Sequence, residues 1–236
     1  MIDGCDDFAM FQAVMLDFYG TVVHEDDVVI DKICTTIKQA SPTGASAAEI
    51  GSHWWSVFSN AFKNSFGATF QTQRALEQWS LDYTCDNFNA SCDTRELSEL
   101  MFAHWQTASL FEDAVQFLSA IEVPVVVLSN IDRADVEAAI AVHDLDFGHL
   151  ITSEDVRSYK PRPELFEAGL ETLGLGPADV LHIGDSATSD VAGAASLGIP
   201  VAWVNRAGKT RPAGIDPDFE VPTLSELIPI VGHLPK

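Results

Sequence analysis

The sequence predicts an α/β protein: a parallel sheet flanked by helices, with a wholly helical unit inserted after the first strand. Three observations carry this. Short apolar, β-branched runs at 13–16, 125–128, 180–183 and 201–204 have the length and composition of buried strands. From about Phe111 these runs alternate with helical patterns, as crossover-linked parallel strands do. Between residues 24 and 103 the strand-like runs stop, and apolar residues fall at helical spacing instead.

The first run, Ala13-Val14-Met15-Leu16, leads into Asp17-Phe18-Tyr19-Gly20-Thr21. An apolar run before a glycine turn delivers the acid at the strand's carboxyl edge, where open α/β sheets place ligands. A carboxylate there can be a metal ligand, a nucleophile or both. In the insert, Trp54, Val57, Phe58, Ala61 and Phe62 share one helical face. Leu76, Trp79 and Tyr83 form another, and Leu97, Leu100, Met101, His104 and Trp105 a third. Ser41-Pro42-Thr43-Gly44 breaks the first helix from the second. The rings of Trp54, Trp55 and Phe58 read as the insert's own core; alternatively, one or two of them face the active site and select substrate.

The second run ends in Ser129-Asn130, and residues 132–142 are helical in pattern. Ser158-Tyr159-Lys160-Pro161-Arg162-Pro163 holds a lysine in a loop before a helix, which Pro163 begins and Gly174 stops. The third run ends in Gly184-Asp185-Ser186, with Asp190 five residues beyond Asp185. His182, inside that run, reads as a buried, hydrogen-bonded core histidine, and the turn after it doubles as a helix cap. A helix over 188–197 ends at Gly198, 201–204 is the next strand, and 206–217, rich in Gly and Pro, loops over the surface.

With 236 residues, 47% of them hydrophobic, the chain can bury a sizeable core. Lys and Arg number 13 against 35 Asp and Glu, for a formal net charge of −22. Such a surface repels phosphate backbones, which argues against nucleic acid and anionic membranes as partners. An anionic substrate would need a local positive pocket. The four cysteines, Cys5, Cys34, Cys85 and Cys92, lack zinc spacing and fit free thiols in a reducing cytoplasm, with Cys85–Cys92 a minor pairing option. The acidic start, Met1 to Asp7, lacks the basic, apolar pattern of a signal peptide. No apolar stretch approaches the ~18 residues of a membrane span. Oligomeric state stays open.

Taken in order, a strand-end acid, a strand-end hydroxyl, a loop lysine and a Gly-Asp acid pair resemble the four motifs of the haloacid dehalogenase-like hydrolase superfamily, over residues 13–203. The resemblance implies a Rossmann-like, doubly wound parallel core with an inserted α-helical cap domain: core at 1–23 and 104–236, cap at 24–103. It implies Asp17 as nucleophile, with magnesium (Mg2+) held by the Asp17 carboxylate, the Tyr19 carbonyl and Asp185, and Asp190 beside them. Thr21, Ser129 and Asn130 would bind the transferring group, and Lys160 would screen the charge that develops.

One position departs from that pattern. Phosphatases of the superfamily carry a second Asp two residues after the nucleophile; here it is Tyr19. A phenol with a reference pKa of about 10 is a poor general base at neutral pH. Asp-x-Tyr-Gly-Thr is similar to the 2-haloacid dehalogenase branch, whose halide leaves without a proton. Against that branch stand Gly184-Asp185 with Asp190, where it has Ser and Asn and uses no metal. Phe166 replaces its Tyr six residues after the lysine, and no Arg occurs between Thr21 and Arg74. The acid pair, read as having a role only with a metal, favours a magnesium-dependent phosphatase of a small phosphomonoester acting through an aspartyl-phosphate. A metal-free 2-haloacid dehalogenase is the alternative, and a weakly active member binding a phosphometabolite or a protein partner the third reading.

Overall fold

A computed structural model describes residues 11–231; the acidic start and Cys5 lie outside them. Its centre is a six-stranded parallel sheet. In chain order the strands are β1 Ala13–Leu16, β2 Val125–Ser129, β3 His149–Thr152, β4 Val180–Gly184, β5 Val201–Val204 and β6 Phe219–Val221. Their spatial order is β3-β2-β1-β4-β5-β6. The chain starts mid-sheet, winds out to β3, then crosses back to β4, so β1 and β4 flank the switch point where such sheets bind ligands. Every residue of β1 and β4 is buried. This is why both read as unbroken apolar runs. β3 and β6 were not among the predicted strands: they are short and half-exposed edge members, so neither shows such a run.

The cap consists of α1 Asp27–Ala40, α2 Ala47–Asn64, α3 Gln73–Asn87 and α4 Thr94–Thr107. Local chemistry sets their starts. Ser46 and Glu49 form a reciprocal capping box on α2, and the Asp93 carboxylate accepts from the Arg95 and Glu96 amides of α4. Ile33, Ile37, Ile50, Trp54, Met101 and Trp105 are buried between the helices. One predicted face is corrected: Leu76 is buried, but Trp79 and Tyr83 are exposed. The inward face of α3 instead carries Glu77, Ser80 and Thr84, polar residues that a hydrophobic pattern assigns to solvent. Ser80 earns its place by accepting a hydrogen bond from Trp54 Nε1 at 2.9 Å. Of the trio Trp54, Trp55 and Phe58, only Trp54 is buried; Trp55 is exposed.

The core helices are α5 Glu112–Ala120, α6 Arg133–Val142, α7 Ser153–Val156, α8 Glu164–Leu173, α9 Gly193–Ala195 and α10 Ile228–Val231. Helix α8 lies so close to the sheet that a Cβ on Gly169 would sit 2.5 Å from Met15 Sδ. The helix expected over 188–197 is a wide π-wound turn, Ala187–Ala192, running into α9. Such widened turns recur at functional sites, and this one carries Asp190. The 206–217 loop is tied down at its start: Arg206 Nη2 donates to the Thr21 carbonyl at 2.8 Å, and Nη1 pairs with Asp113.

Candidate active site

Asp17 stands at the carboxyl end of β1, and its amide continues the β1–β4 ladder by donating to the Ile183 carbonyl at 2.9 Å. Thr21, one tight turn on, donates its hydroxyl to Asp17 Oδ2 at 2.9 Å. Lys160 Nζ donates to Asp17 Oδ1 at 2.6 Å, to Asp190 Oδ1 at 2.7 Å and to the Leu128 carbonyl at 3.0 Å. All three donors of that ammonium are used, and the side chain is 1% exposed. Asp190 also accepts from His182 Nε2 at 2.9 Å and from the Ser186 amide at 3.0 Å. His182 is thus buried and hydrogen-bonded, as expected, but its partner is a site acid.

Burial governs the ionisation of this cluster, and the ion pairs redirect it. Burial pushes the Asp17 carboxyl up; Lys160 opposes it, Asp190 adds to it, and the result is about 6. Asp190 would also be raised by burial, but Lys160 and His182 hold it well below the ordinary carboxylate range. Lys160 would lose its proton to burial alone; Asp17 and Asp190 reverse that and keep it charged. Asp185 has a more distant cation, Lys209, whose Nζ lies 3.9 Å from its Oδ2. Burial, its hydrogen bond with Glu25 and the charges of Asp17 and Asp190 all push it up. Glu25 is lowered by the same hydrogen bond, so the two acids titrate as a pair.

The backbone packs tightly around these acids. Gly20 has φ +86°, and a Cβ there would lie 2.7 Å from the Asp185 carboxyl. Glycine is required at that position both for its conformation and for the approach. Asp17, Asp185 and Asp190 each bring an oxygen within 4.8 Å of the others, the spacing expected of metal ligands. Their chemistry does not fit one. The Lys160 ammonium already takes an oxygen of both Asp17 and Asp190, and the other Asp190 oxygen takes the Ser186 amide.

Tyr19 turns its hydroxyl into the cap, donating to the Trp105 carbonyl at 2.6 Å. Burial, then Asp135, Asp17 and Asp26, raise its pKa further, so it stays a phenol. Ser129 Oγ accepts from the Ile131 amide at 3.2 Å. Asn130 clasps the lysine loop: its Oδ1 accepts from the Lys160 amide at 2.7 Å and its Nδ2 donates to the Lys160 carbonyl at 3.3 Å. A cavity of about 810 Å³ opens over Asp17 between core and cap. Trp54, Trp55, Phe58 and Phe62 wall one side. Among the described residues, the basic side chains lining it are Lys63, Lys160 and Arg162.

Sequence reasoning gave no role to Arg162, Glu25, Asp26 or Glu77, all on this cavity. Arg162 stood two residues from Lys160 in a motif already singled out; the three acids carried no pattern. Arg74 is no substitute for a cap arginine here, because Asp135 holds its guanidinium at 2.5 Å. Phe166 packs edge-on against the His182 ring.

A family model, haloacid dehalogenase-like hydrolase, matches residues 11–198. The (S)-2-haloacid dehalogenase of Pseudomonas sp. (strain YL) is 30% identical over 66% of this chain and 68% of its own. (S)-2-haloacid dehalogenase H-109 of Pseudomonas putida is 28% identical over 92% of this chain and 96% of its own. The solved L-2-haloacid dehalogenase of Xanthobacter autotrophicus, with chloropropionic acid covalently bound, superposes with a TM-score of 0.75 at 22% identity, covering 94% of this chain and 98% of that one. These likenesses overturn the main functional expectation: the phosphatase, its phosphorylated substrate and its Mg2+ are all withdrawn. The error has a physical source. The acid pair was granted a role only with a metal, whereas Asp190 anchors the lysine that faces Asp17, and Asp185 pairs with Glu25. Motif, fold and buried lysine–aspartate centre agree that this chain belongs to the haloacid dehalogenase-like hydrolase family.

Proposed function

We propose that the chain hydrolyses 2-halocarboxylic acids to 2-hydroxy acids without a metal. The observation that carries this is a buried aspartate, clamped by Thr21 and Lys160, whose neighbour two residues on is a phenol turned away into the cap. Such a nucleophile has no acid at that position to protonate a leaving group, and a halide needs none. The relatives named as 2-haloacid dehalogenases support the same reading.

In this mechanism the Asp17 carboxylate attacks C2 of the substrate. The carbon–halogen bond breaks with its electron pair, the halide leaves, and an ester joins C2 to Asp17. Arg162, and Lys63 toward the mouth, would take the substrate carboxylate, because Lys160 is committed to Asp17 and Asp190. Water then adds to the ester carbonyl of Asp17. Lys160 and Thr21 steady the oxyanion, and the water's proton passes to Asp185, which lines the same cavity. Collapse expels the C2 alkoxide, which takes the proton left on the added oxygen, so the hydroxy acid is freed and the Asp17 carboxylate regenerated. Overall, one water is consumed, and one halide and one proton are released. Free thiols at Cys34, Cys85 and Cys92 support the cytoplasm as the working compartment, and no helix among the described residues is long and apolar enough to cross a membrane.

Chloride release from 2-chloropropionate is expected to be unchanged by EDTA, with no phosphate release from p-nitrophenyl phosphate in the same buffers. Loss of chloride release on chelation would sink the metal-free mechanism. The pH dependence has a definite sign. Asp17 attacks only as the anion, so the first burst of halide should fall about tenfold per unit as pH drops below about 6 and level off above it. A burst that is flat from pH 5 to 8 would exclude Asp17 as the group that sets it.

A further inference from the structure

Beyond Asp17 the cavity extends under the cap to a wall that the reaction above does not use. Glu77, on the inward face of α3, is 5% exposed, lines the cavity, and has no hydrogen-bond partner for its Oε1. Gln73, one turn earlier and also on the wall, has a buried Oε1 with no partner either. One is a carboxyl oxygen and the other an amide oxygen. Buried acceptors without a donor are rare in native proteins and ask for an explanation. Asp26 lines the same cavity and has Trp105 Nε1 as a distant donor at 3.4 Å. Trp54 and Trp105 also line it, and aromatic side chains attract cations.

We propose that Glu77 and Gln73 form a cation subsite that receives an ammonium group at the far end of the substrate, so that the preferred substrate is a 2-halocarboxylic acid with an amino-terminated side chain. Two further observations favour it. A cavity of about 810 Å³ is several times larger than a three-carbon haloacid requires. A chain of net charge −22 repels a simple haloacid anion but not a zwitterion, whose ammonium offsets its carboxylate. Burial, with Asp26 adding, lifts the Glu77 carboxyl to about 8. It is thus mainly neutral when the cavity is empty and can ionise as the ammonium arrives. The proposal rests on the dehalogenase reading only for the reacting end of the substrate.

The test separates the two. Binding of 6-aminohexanoate and of hexanoate is measured by calorimetry on the wild-type chain and on Glu77→Gln, with 5-aminopentanoate and 7-aminoheptanoate to match the span. The amino acid of best-fitting length is expected to bind at least about tenfold tighter than its alkyl counterpart, as hydrogen bonds to a charged group allow. In Glu77→Gln that margin should vanish. Equal affinities in the wild type overturn the subsite, and so does a margin that survives the substitution. Chloride release from 2-chloropropionate is followed separately. Its absence would remove the dehalogenase reading while the binding comparison still decides the subsite. Where both hold, 6-amino-2-chlorohexanoate should exceed 2-chlorohexanoate in kcat/KM by the same margin.

Discussion

Asp17→Asn is expected to lower halide release from 2-chloropropionate by at least about 10^4-fold, since it removes the atom that forms the covalent bond. The substitution suits the test because it changes little else. The amide keeps an oxygen that can accept from Lys160 or Thr21, so the fold should survive, and thermal unfolding checks this. Single turnover in ¹⁸O-labelled water adds an independent readout. If water attacks the ester carbonyl, the label enters the Asp17 carboxylate and the hydroxy acid leaves with an unlabelled oxygen. Label found directly in the product would mean that water attacked C2, and Asp17 would lose its role as nucleophile.

Lys160→Met should be nearly as damaging to activity, about 10^3-fold or more, and much more damaging to the fold. In the native chain one ammonium neutralises two buried carboxylates at 2.6 and 2.7 Å. Breaking such a buried pair costs about 3–5 kcal/mol, which for a chain of this size lowers Tm by roughly 6–20 °C. The variant relieves part of the strain by holding a proton on Asp17, and a protonated Asp17 is no nucleophile. The pH dependence follows from linkage. An acid whose folded pKa is raised binds its proton more tightly when folded, so stability is lost as pH rises through the folded pKa. In the wild type that loss for Asp17 ends near 6; without Lys160 it extends upward. The stability gap between wild type and Lys160→Met should therefore be larger at pH 8 than at pH 5. An equal gap at both would show that the lysine contributes packing rather than charge.

How much of this was legible can be followed residue by residue. Asp17 at a strand end could be read because both signals, an apolar run and a glycine turn, lie within a few residues. The same holds for Asp185 after β4 and for Lys160 before α8. The inward face of α3 could not be read, because Ser80 and Thr84 are buried by virtue of hydrogen bonds that a hydrophobicity pattern does not register. Strands β3 and β6 were missed because edge strands are half wet and lose the continuous apolar run. The substrate class was misjudged at one step. Tyr19 pointed toward the dehalogenase branch, but the acid pair was weighed more heavily because Asp190 was given no counter-charge other than a metal. That counter-charge was Lys160, 143 residues from Asp17 and 30 from Asp190.

By itself the sequence determined the parallel α/β core, the helical insert and the place of each motif at a strand end or loop, because strand periodicity, turn glycines and helix spacing are local properties of the chain. The tertiary structure alone decided what the acids do. Whether a carboxylate is a metal ligand, a lysine anchor or one of a titrating pair depends on which charge is folded against it and how much water is excluded, and both are set by residues distant in sequence.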